Sequence, residues 1–114
     1  MTEIPAVLTA HIDAVNRFDT EGVVATFAAD ALLHDNGREL RGTDAIRGLV
    51  ATDIVGARVT MTVTEIIDLP GVYVIRASYD GDFDKTGLPD PLILTNYVVL
   101  HDDLISALFI VLNR

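Results

Sequence analysis

The 114-residue sequence contains no cysteine and no tryptophan, and it has only 8 lysine and arginine residues against 17 aspartate and glutamate residues. Without cysteine, neither a disulfide framework nor a thiolate metal site can form. The formal net charge of −9 argues against nucleic-acid binding and against attachment to an anionic membrane surface, because both require clustered cations. No apolar run is long enough to cross a bilayer. These absences leave a protein partner or a small molecule as the expected ligand.

Other signals are missing as well. The N-terminus lacks a basic region followed by an apolar run, so no signal peptide is visible and we expect a cytoplasmic location. The histidines are scattered without ligand spacing, so no metal is expected. No phosphate loop or dinucleotide fingerprint is present, so no cofactor is expected. Half of the residues are hydrophobic, which at this length predicts a single domain over residues 1–114 with a sizeable core.

The hydrophobic pattern divides the chain near Arg58. Before it, apolar residues recur at helical spacing and predict three helices, the second of them ending at Phe27 to Asp30. After it, apolar and polar residues alternate, which predicts strands up to Leu112. This order predicts an α+β fold in which three N-terminal helices pack on a curved, mainly antiparallel sheet.

A hairpin and a helix start occupy the segment between the second and third helices. Asn36-Gly37 lies between two apolar-containing runs and predicts a tight turn, because both residues tolerate positive φ. Gly42-Thr43-Asp44 predicts the start of the third helix, with Thr43 as its N-cap. Asp35 ends the first strand of the hairpin, beside the turn.

These segments, taken in order, resemble the nuclear transport factor 2-like superfamily, in the branch of ketosteroid isomerases and SnoaL-type polyketide cyclases. The resemblance covers the opening helix, the Ala25 to Asp30 segment, the hairpin, the Arg41 to Arg47 segment and the long strands that follow. It implies a cone-shaped sheet wrapped around the helices, as in a cystatin-like α+β barrel. The superfamily contains enzymes, binding proteins and subunits alike, so it indicates fold more strongly than function.

The resemblance also implies a catalytic pair, Asp35 and His11. Asp35 matches the general base of the ketosteroid isomerases, and a partly desolvated carboxylate can move a proton next to a carbonyl. His11 stands where that family has a tyrosine that donates a hydrogen bond to the developing enolate, and histidine can donate or hold a proton near neutral pH. The alternatives are that Asp35 only bonds its own turn and that His11 is a satisfied, half-buried residue.

The family's second oxyanion donor, a protonated aspartate, matches Thr95 here. Because both donor positions differ from the family pattern, steroid isomerase activity is not predicted. The alternate residues of each strand that are expected to face inward add candidate substrate-binding residues to the pocket wall. The alternative for each of them is plain core packing. They are Tyr79, Thr95, Tyr97 and Phe109.

The last two strands are apolar on both faces, and helices can cover only one face. We therefore expect a homodimer through the sheet, because an uncovered apolar face is rarely tolerated by a monomer. The residues expected near this interface are Val98, Leu100, Leu108 and Ile110.

Two classes of function fit the sequence. The first is a cofactor-free isomerase, cyclase or dehydratase that acts on a hydrophobic carbonyl compound with Asp35 as the base. The second is a non-catalytic small-molecule-binding or dimerisation domain. An open, partly apolar cavity reached by Asp35 and His11 favours the enzyme. A filled core, or an Asp35 bonded only to its turn, favours the second class.

Overall fold

Three helices cover one face of a six-stranded sheet in the computed structural model, which describes residues 4–112. The helices are α1 (Ala6–Asn16), α2 (Thr20–Val24) and α3 (Thr43–Leu49), and a π-helical segment, Val50–Val55, continues α3. The strands are β1 (Phe27–Asp35), β2 (Arg38–Arg41), β3 (Thr60–Leu69), β4 (Val72–Asp80), β5 (Leu92–His101) and β6 (Leu104–Leu112). The predicted change from helices to strands is confirmed, and β3 begins two residues after Arg58.

The strands lie in the order β2-β1-β6-β5-β4-β3, which gives a curved sheet that does not close into a barrel. Neighbouring strands are antiparallel except for β1 and β6, which are parallel. The expectation of a mainly antiparallel sheet is therefore confirmed. The parallel pair places the first and last strands of the chain side by side in the interior of the sheet.

Two local predictions in the N-terminal half need correction. The second helix ends at Val24, and Phe27 to Asp30 belong to β1 instead, because β1 pairs with β6 from Phe27 onward. The N-cap of α3 is Gly42, and the hydroxyl of Thr43 donates to the carbonyl oxygen of Ala29 at 3.4 Å. The predicted turn is confirmed, since Asn36 and Gly37 both have positive φ.

The helices are held to the sheet by apolar packing and by two hydrogen bonds from one side chain, Asn16. Apolar side chains of the helices meet those of the sheet in one core, as shown by the burial of Leu8, Ile46, Ala77 and Leu108. The side chain of Asn16, at the end of α1, makes two hydrogen bonds to the backbone of Met61 in β3. It donates to the carbonyl oxygen at 2.9 Å and accepts from the amide at 2.7 Å. These two hydrogen bonds fix the C-terminal end of α1 against β3.

The faces of β5 and β6 are the reverse of those predicted. Val98, Leu108 and Ile110 are buried in the core, and Leu100 packs against it. The assignment of these four residues to a dimer interface is therefore wrong. The cause is the register of β4 and β5, which pairs Tyr73 with Val98 and so puts both on the side that faces the helices.

The outer face of the sheet is nevertheless apolar. Tyr97 pairs with Phe109 across β5 and β6, and Val99 pairs with Ala107. Tyr97 and Val111 are 41% and 44% exposed. The sheet thus has the expected apolar face without a helix over it. The residues on that face are the ones that alternate with those predicted. Among residues 4–112, no helix is long and apolar enough to cross a membrane.

Replacing two valines tests this assignment of faces. Val98→Ala removes a side chain that is 2% exposed, and we expect it to lower the free energy of unfolding by about 2 kcal/mol. Val111→Ala, at a position that is 44% exposed in the single chain, should cost about 0.5 kcal/mol or less at a protein concentration low enough to keep the chain monomeric. Urea unfolding at a single protein concentration measures both. Equal losses, or a larger loss for Val111→Ala, would contradict the assignment.

Candidate functional site

A cavity of about 650 Å³ lies between the helices and the sheet. That volume suits a small organic molecule, for which pockets typically measure about 300–1,000 Å³. Most of its wall is apolar and comes from α1, α2, the π-helical segment and the inner face of the sheet. The polar side chains in the wall are those of His11, Asp35, Asn36, Asp53, Tyr79 and Asn96. The predicted open cavity is present, and Asp35 and His11 both line it.

Asp35 is placed by the turn that follows it. The backbone amide of Asn36 donates to the carbonyl oxygen of Ile110 at 3.0 Å, and its side-chain oxygen accepts from the amide of Leu112 at 2.9 Å. The other end of the same side chain donates to Oδ1 of Asp35 at 3.2 Å. The turn is therefore fixed to β6, and the carboxylate of Asp35 is fixed to the turn.

Arg38 holds two carboxylates at the edge of the cavity. Its Nη2 lies 3.0 Å from Oδ2 of Asp35 and 2.8 Å from Oδ2 of Asp53. Hydrogen bonds to Asp53 and then Asp35 raise the pKa of the Arg38 guanidinium. The Asp35 side chain keeps 22% of its surface accessible, so the ion pair does not enclose it. Asp35 is therefore bonded within its hairpin and also exposed to the cavity.

His11 lies on α1 and is tied to the end of α2. Its Nδ1 is 3.0 Å from Oγ1 of Thr26, and its ring meets the ring of Phe27 edge to face at 5.6 Å between centroids. Burial lowers the pKa of His11 from 6.5 to about 4. His11 is therefore neutral at pH 7, which corrects the expectation that it holds a proton near neutral pH. It is therefore not an imidazolium acid, although the neutral ring keeps one N–H that can donate a hydrogen bond.

Tyr79 and Asn96 form the polar pair on the sheet side of the cavity. Nδ2 of Asn96 donates to Oη of Tyr79 at 2.9 Å and to the carbonyl oxygen of Ile75 at 3.2 Å. The hydroxyl proton of Tyr79 is directed to Sδ of Met61 at 4.0 Å, and a thioether is a weak acceptor. Burial raises the pKa of Tyr79 to about 12, the Asn96 hydrogen bond opposes this, and the charge of Asp35 adds to it. Tyr79 thus stays protonated and has a hydrogen bond to offer.

Three predicted wall residues lie elsewhere. Thr95, Tyr97 and Phe109 do not line the cavity, because their strands present the alternate residues to it. Thr95 pairs with Arg76 on β4 and with Val111 on β6, on the outer face. In this part of β5 the residue that lines the cavity is Asn96, and the predicted oxyanion donor Thr95 lies on the opposite face.

Sequence reasoning missed the roles of Asn96 and Arg38 and left Asp53 undecided. Asn96 carries a signal, since it is the one amide in the apolar row Leu92, Leu94, Val98 of β5. Arg38 carries little signal, because it looks like an ordinary exposed residue after a turn. Among residues 4–112, no three His, Asp or Glu side chains come together in a way that could hold a metal ion.

A curved sheet, three helices over one of its faces and a cavity between them define this chain as an α+β domain with an internal pocket. The sequence profile of the SnoaL-like domain matches residues 8–107. The chain therefore belongs to the SnoaL-like domain family, within the nuclear transport factor 2-like superfamily. A comparison with curated protein sequences gave no match.

Solved structures agree with this family. A candidate polyketide cyclase from Sinorhizobium meliloti is 26% identical, with 94% of each chain covered and a TM-score of 0.83. A protein with a ketosteroid isomerase-like fold from Catenulispora acidiphila is 23% identical over 95% of this chain and 85% of the other, with a TM-score of 0.78. A cystatin-fold protein from Novosphingobium aromaticivorans is 17% identical over 92% and 94%, with a TM-score of 0.76. The latter two show the fold alone.

The lowered pKa of His11 predicts a pH dependence of stability. The unfolded imidazole binds a proton below pH 6.5, whereas the folded one does so only near pH 4, so stability falls as the pH falls between these values. Between pH 7 and pH 5 this amounts to about 2 kcal/mol. His11→Asn removes the titration and keeps a donor at the position of Nδ1.

The free energy of unfolding, measured at pH 7 and pH 5, should fall by about 2 kcal/mol more in the wild type than in His11→Asn. The control is His101→Asn, which removes an imidazole whose side chain is 79% exposed. This control should follow the wild type. A His11→Asn variant with the wild-type pH dependence would show that His11 is not buried in its neutral form.

Proposed function

We propose that the cavity binds a small hydrophobic carbonyl compound and that Asp35 moves a proton at the carbon next to the carbonyl. The observation that carries this proposal is that a partly accessible carboxylate, Asp35, and a phenol whose proton meets only a thioether, Tyr79, both lie in the wall of one apolar cavity. Isomerisation, cyclisation and dehydration of carbonyl compounds can all begin with such a proton transfer.

Asp35 supplies the base. Its carboxylate is partly desolvated, and it is oriented by Asn36 and Arg38, so little rearrangement is needed when a substrate arrives. Each carboxylate oxygen has a second lone pair beyond the one that accepts from Asn36 or Arg38. The proton taken from the substrate would be held on Asp35 and returned to another carbon of the same molecule.

Tyr79 supplies the hydrogen bond that stabilises the enolate. Removal of the proton places negative charge on the carbonyl oxygen, and a donor aimed at that oxygen lowers the barrier. The amide of Asn96 occupies a lone pair of Oη and so leaves the phenol proton to Sδ of Met61 in the cavity wall, a weak acceptor that a carbonyl oxygen can replace. In this proposal Asn96 is a positioning residue, and Tyr79 takes the place that the resemblance gave to His11.

Proton exchange tests the proposal without knowledge of the natural substrate. 2-Tetralone has acidic protons beside its carbonyl, and their replacement by deuterium in D₂O can be followed by NMR. We expect the wild type to accelerate this exchange and Asp35→Asn to lower the rate about 100-fold or more, with binding and folding nearly unchanged. Tyr79→Phe should lower it by about 100-fold, since one oxyanion donor is lost.

Asp30→Asn is the matched control, because Asp30 is an exposed carboxylate on the same strand as Asp35. Its exchange rate should equal that of the wild type. An Asp35→Asn variant with wild-type exchange would remove Asp35 as the base, and a wild type no faster than buffer would remove the catalytic proposal for this class of ketone.

A second candidate function is binding without catalysis. It is supported by the hydrogen bonds from Asn36 and Arg38, which already occupy both oxygens of Asp35. Saturable binding of tetralones by a wild type that does not accelerate exchange would favour this candidate.

We also propose that the chain forms a homodimer through the outer face of the sheet. The support is the apolar surface on β5 and β6, where the exposed side chains of Tyr97 and Val111 have no helix over them. A second copy of the same apolar face is a suitable cover for such a surface, because contact between two apolar faces removes both of them from water.

Sedimentation equilibrium at micromolar concentration tests the dimer. The wild type should have twice the chain mass of 12.3 kDa, and Tyr97→Asp should have the chain mass, because it places a carboxylate in the interface. Thr9→Asp adds the same charge to the exposed side of α1 and should remain dimeric. A monomeric wild type would overturn the dimer, and a dimeric Tyr97→Asp would move the interface elsewhere.

A further inference from the structure

The hydrogen bonds around His11 fix which of its nitrogens carries the proton. Oγ1 of Thr26 lies 2.6 Å from the carbonyl oxygen of Val23 and 3.0 Å from Nδ1 of His11. A carbonyl oxygen can only accept, and a hydroxyl has one proton, so the Thr26 hydroxyl donates to Val23. It must then accept from His11, which places the imidazole proton on Nδ1.

The other ring nitrogen, Nε2, is consequently a bare acceptor. It has no hydrogen-bond partner among residues 4–112, although His11 lines the cavity. No buried side-chain nitrogen or oxygen in that part of the chain lacks a partner, so Nε2 must be reachable from the cavity. The lowered pKa of His11 agrees with a ring that stays neutral and keeps this acceptor available.

We propose that Nε2 of His11 selects ligands that carry a hydroxyl group in addition to their carbonyl. The inference deepens the proposed function and rests on it for the carbonyl. The hydroxyl donates to Nε2 on the α1 side of the cavity, while the carbonyl oxygen accepts from Tyr79 on the sheet side. A ligand without the hydroxyl displaces water from Nε2 but gives it no hydrogen bond, and this weakens binding in an apolar site.

The cavity offers a hydroxyl few other neutral acceptors. Asp35 and Asp53 are charged carboxylates bound to Arg38, and the amide of Asn96 lies on the sheet side beside Tyr79, so Nε2 is the neutral acceptor on the α1 side. An ether or a second carbonyl placed against Nε2 would bring two lone pairs together. The selection is therefore for a donor and against an acceptor of the same size.

The tautomer can be measured directly on the intact, ligand-free protein. Long-range ¹H–¹⁵N correlation at pH 7 distinguishes a protonated ring nitrogen from a bare one. The chain has 3 histidines, and His34→Gln and His101→Gln assign the other two rings. We expect the His11 ring to be protonated at Nδ1 and bare at Nε2. A proton on Nε2 would overturn the inference, whatever the outcome of the exchange experiments.

Binding of matched ketones tests the selection itself. The probes are 1-tetralone and its 5-, 6- and 7-hydroxy and methoxy derivatives, with dissociation constants measured by calorimetry. At least one hydroxy derivative should bind about tenfold or more tightly than both its methoxy partner and 1-tetralone. Equal binding of all members, or no binding by any of them, would overturn the proposed selection.

Two variants assign the preference to His11. His11→Phe keeps a ring but lacks Nε2, and it should bind hydroxy and methoxy derivatives equally well. Thr26→Val removes the acceptor for Nδ1, so the ring can carry its proton on Nε2, and the preference should fall below about threefold. If Thr26→Val does not fold, His11→Phe decides alone, and an unchanged preference there would overturn the inference.

Asp35→Asn separates this inference from the proposed reaction. If the proposed proton transfer is correct, the variant loses exchange but keeps the preference for the hydroxy derivative. If the reaction is wrong and the selection is right, the wild type shows the preference without exchange. If the reaction and the selection are both right, the wild type accelerates exchange and prefers the hydroxy derivative. His11→Phe then loses that preference.

Discussion

The parallel pairing of β1 with β6 is the constraint on which the rest of the structure depends. It brings the first and last strands together and leaves the hairpin turn against the last strand. The amide of Asn36 bonds to Ile110, and its side chain bonds to Leu112 and Asp35. The turn that orients the carboxylate is thus fixed by Leu112, 76 residues from Asn36 in sequence. Without that pairing, the turn would place Asp35 by local preferences alone.

The register of β4, β5 and β6 then decides what the cavity contains. Pairing Ile75 with Asn96 turns Asn96 and Tyr79 to the helices, and pairing Tyr97 with Phe109 turns both of these residues away. One side of the sheet therefore carries the polar pair that can bind a carbonyl oxygen, and the other carries the apolar surface. The helices add His11 as a neutral acceptor, because Thr26 at the end of α2 fixes its proton. The site is assembled from α1, β1, β4 and β5.

Much of this could be predicted from the sequence, and the failures have a common physical cause. The switch in periodicity near Arg58, the Asn36-Gly37 turn and the placement of Asp35 and His11 all rest on local patterns, and the structure agrees with them. Strand faces failed in β5 and β6, because both faces are apolar and alternation carries no information about which one is inside. Tyr97 and Phe109 were misplaced for that reason, and the family match at Thr95 falls one residue away from Asn96, which lines the cavity. The ion pairs of Arg38 and the neutral state of His11 depend on burial and on long-range contacts, which local patterns do not record.

The central claim is that one cavity presents a base and a hydrogen-bond donor to opposite parts of a carbonyl compound. A crystal structure of the chain with 2-tetralone bound tests it most directly. We expect the carbonyl oxygen within about 3.2 Å of Oη of Tyr79 and the neighbouring carbon within about 3.5 Å of the Asp35 carboxylate. A ketone bound on the outer face of the sheet, or one whose carbonyl points away from Tyr79 towards His11, would contradict the account.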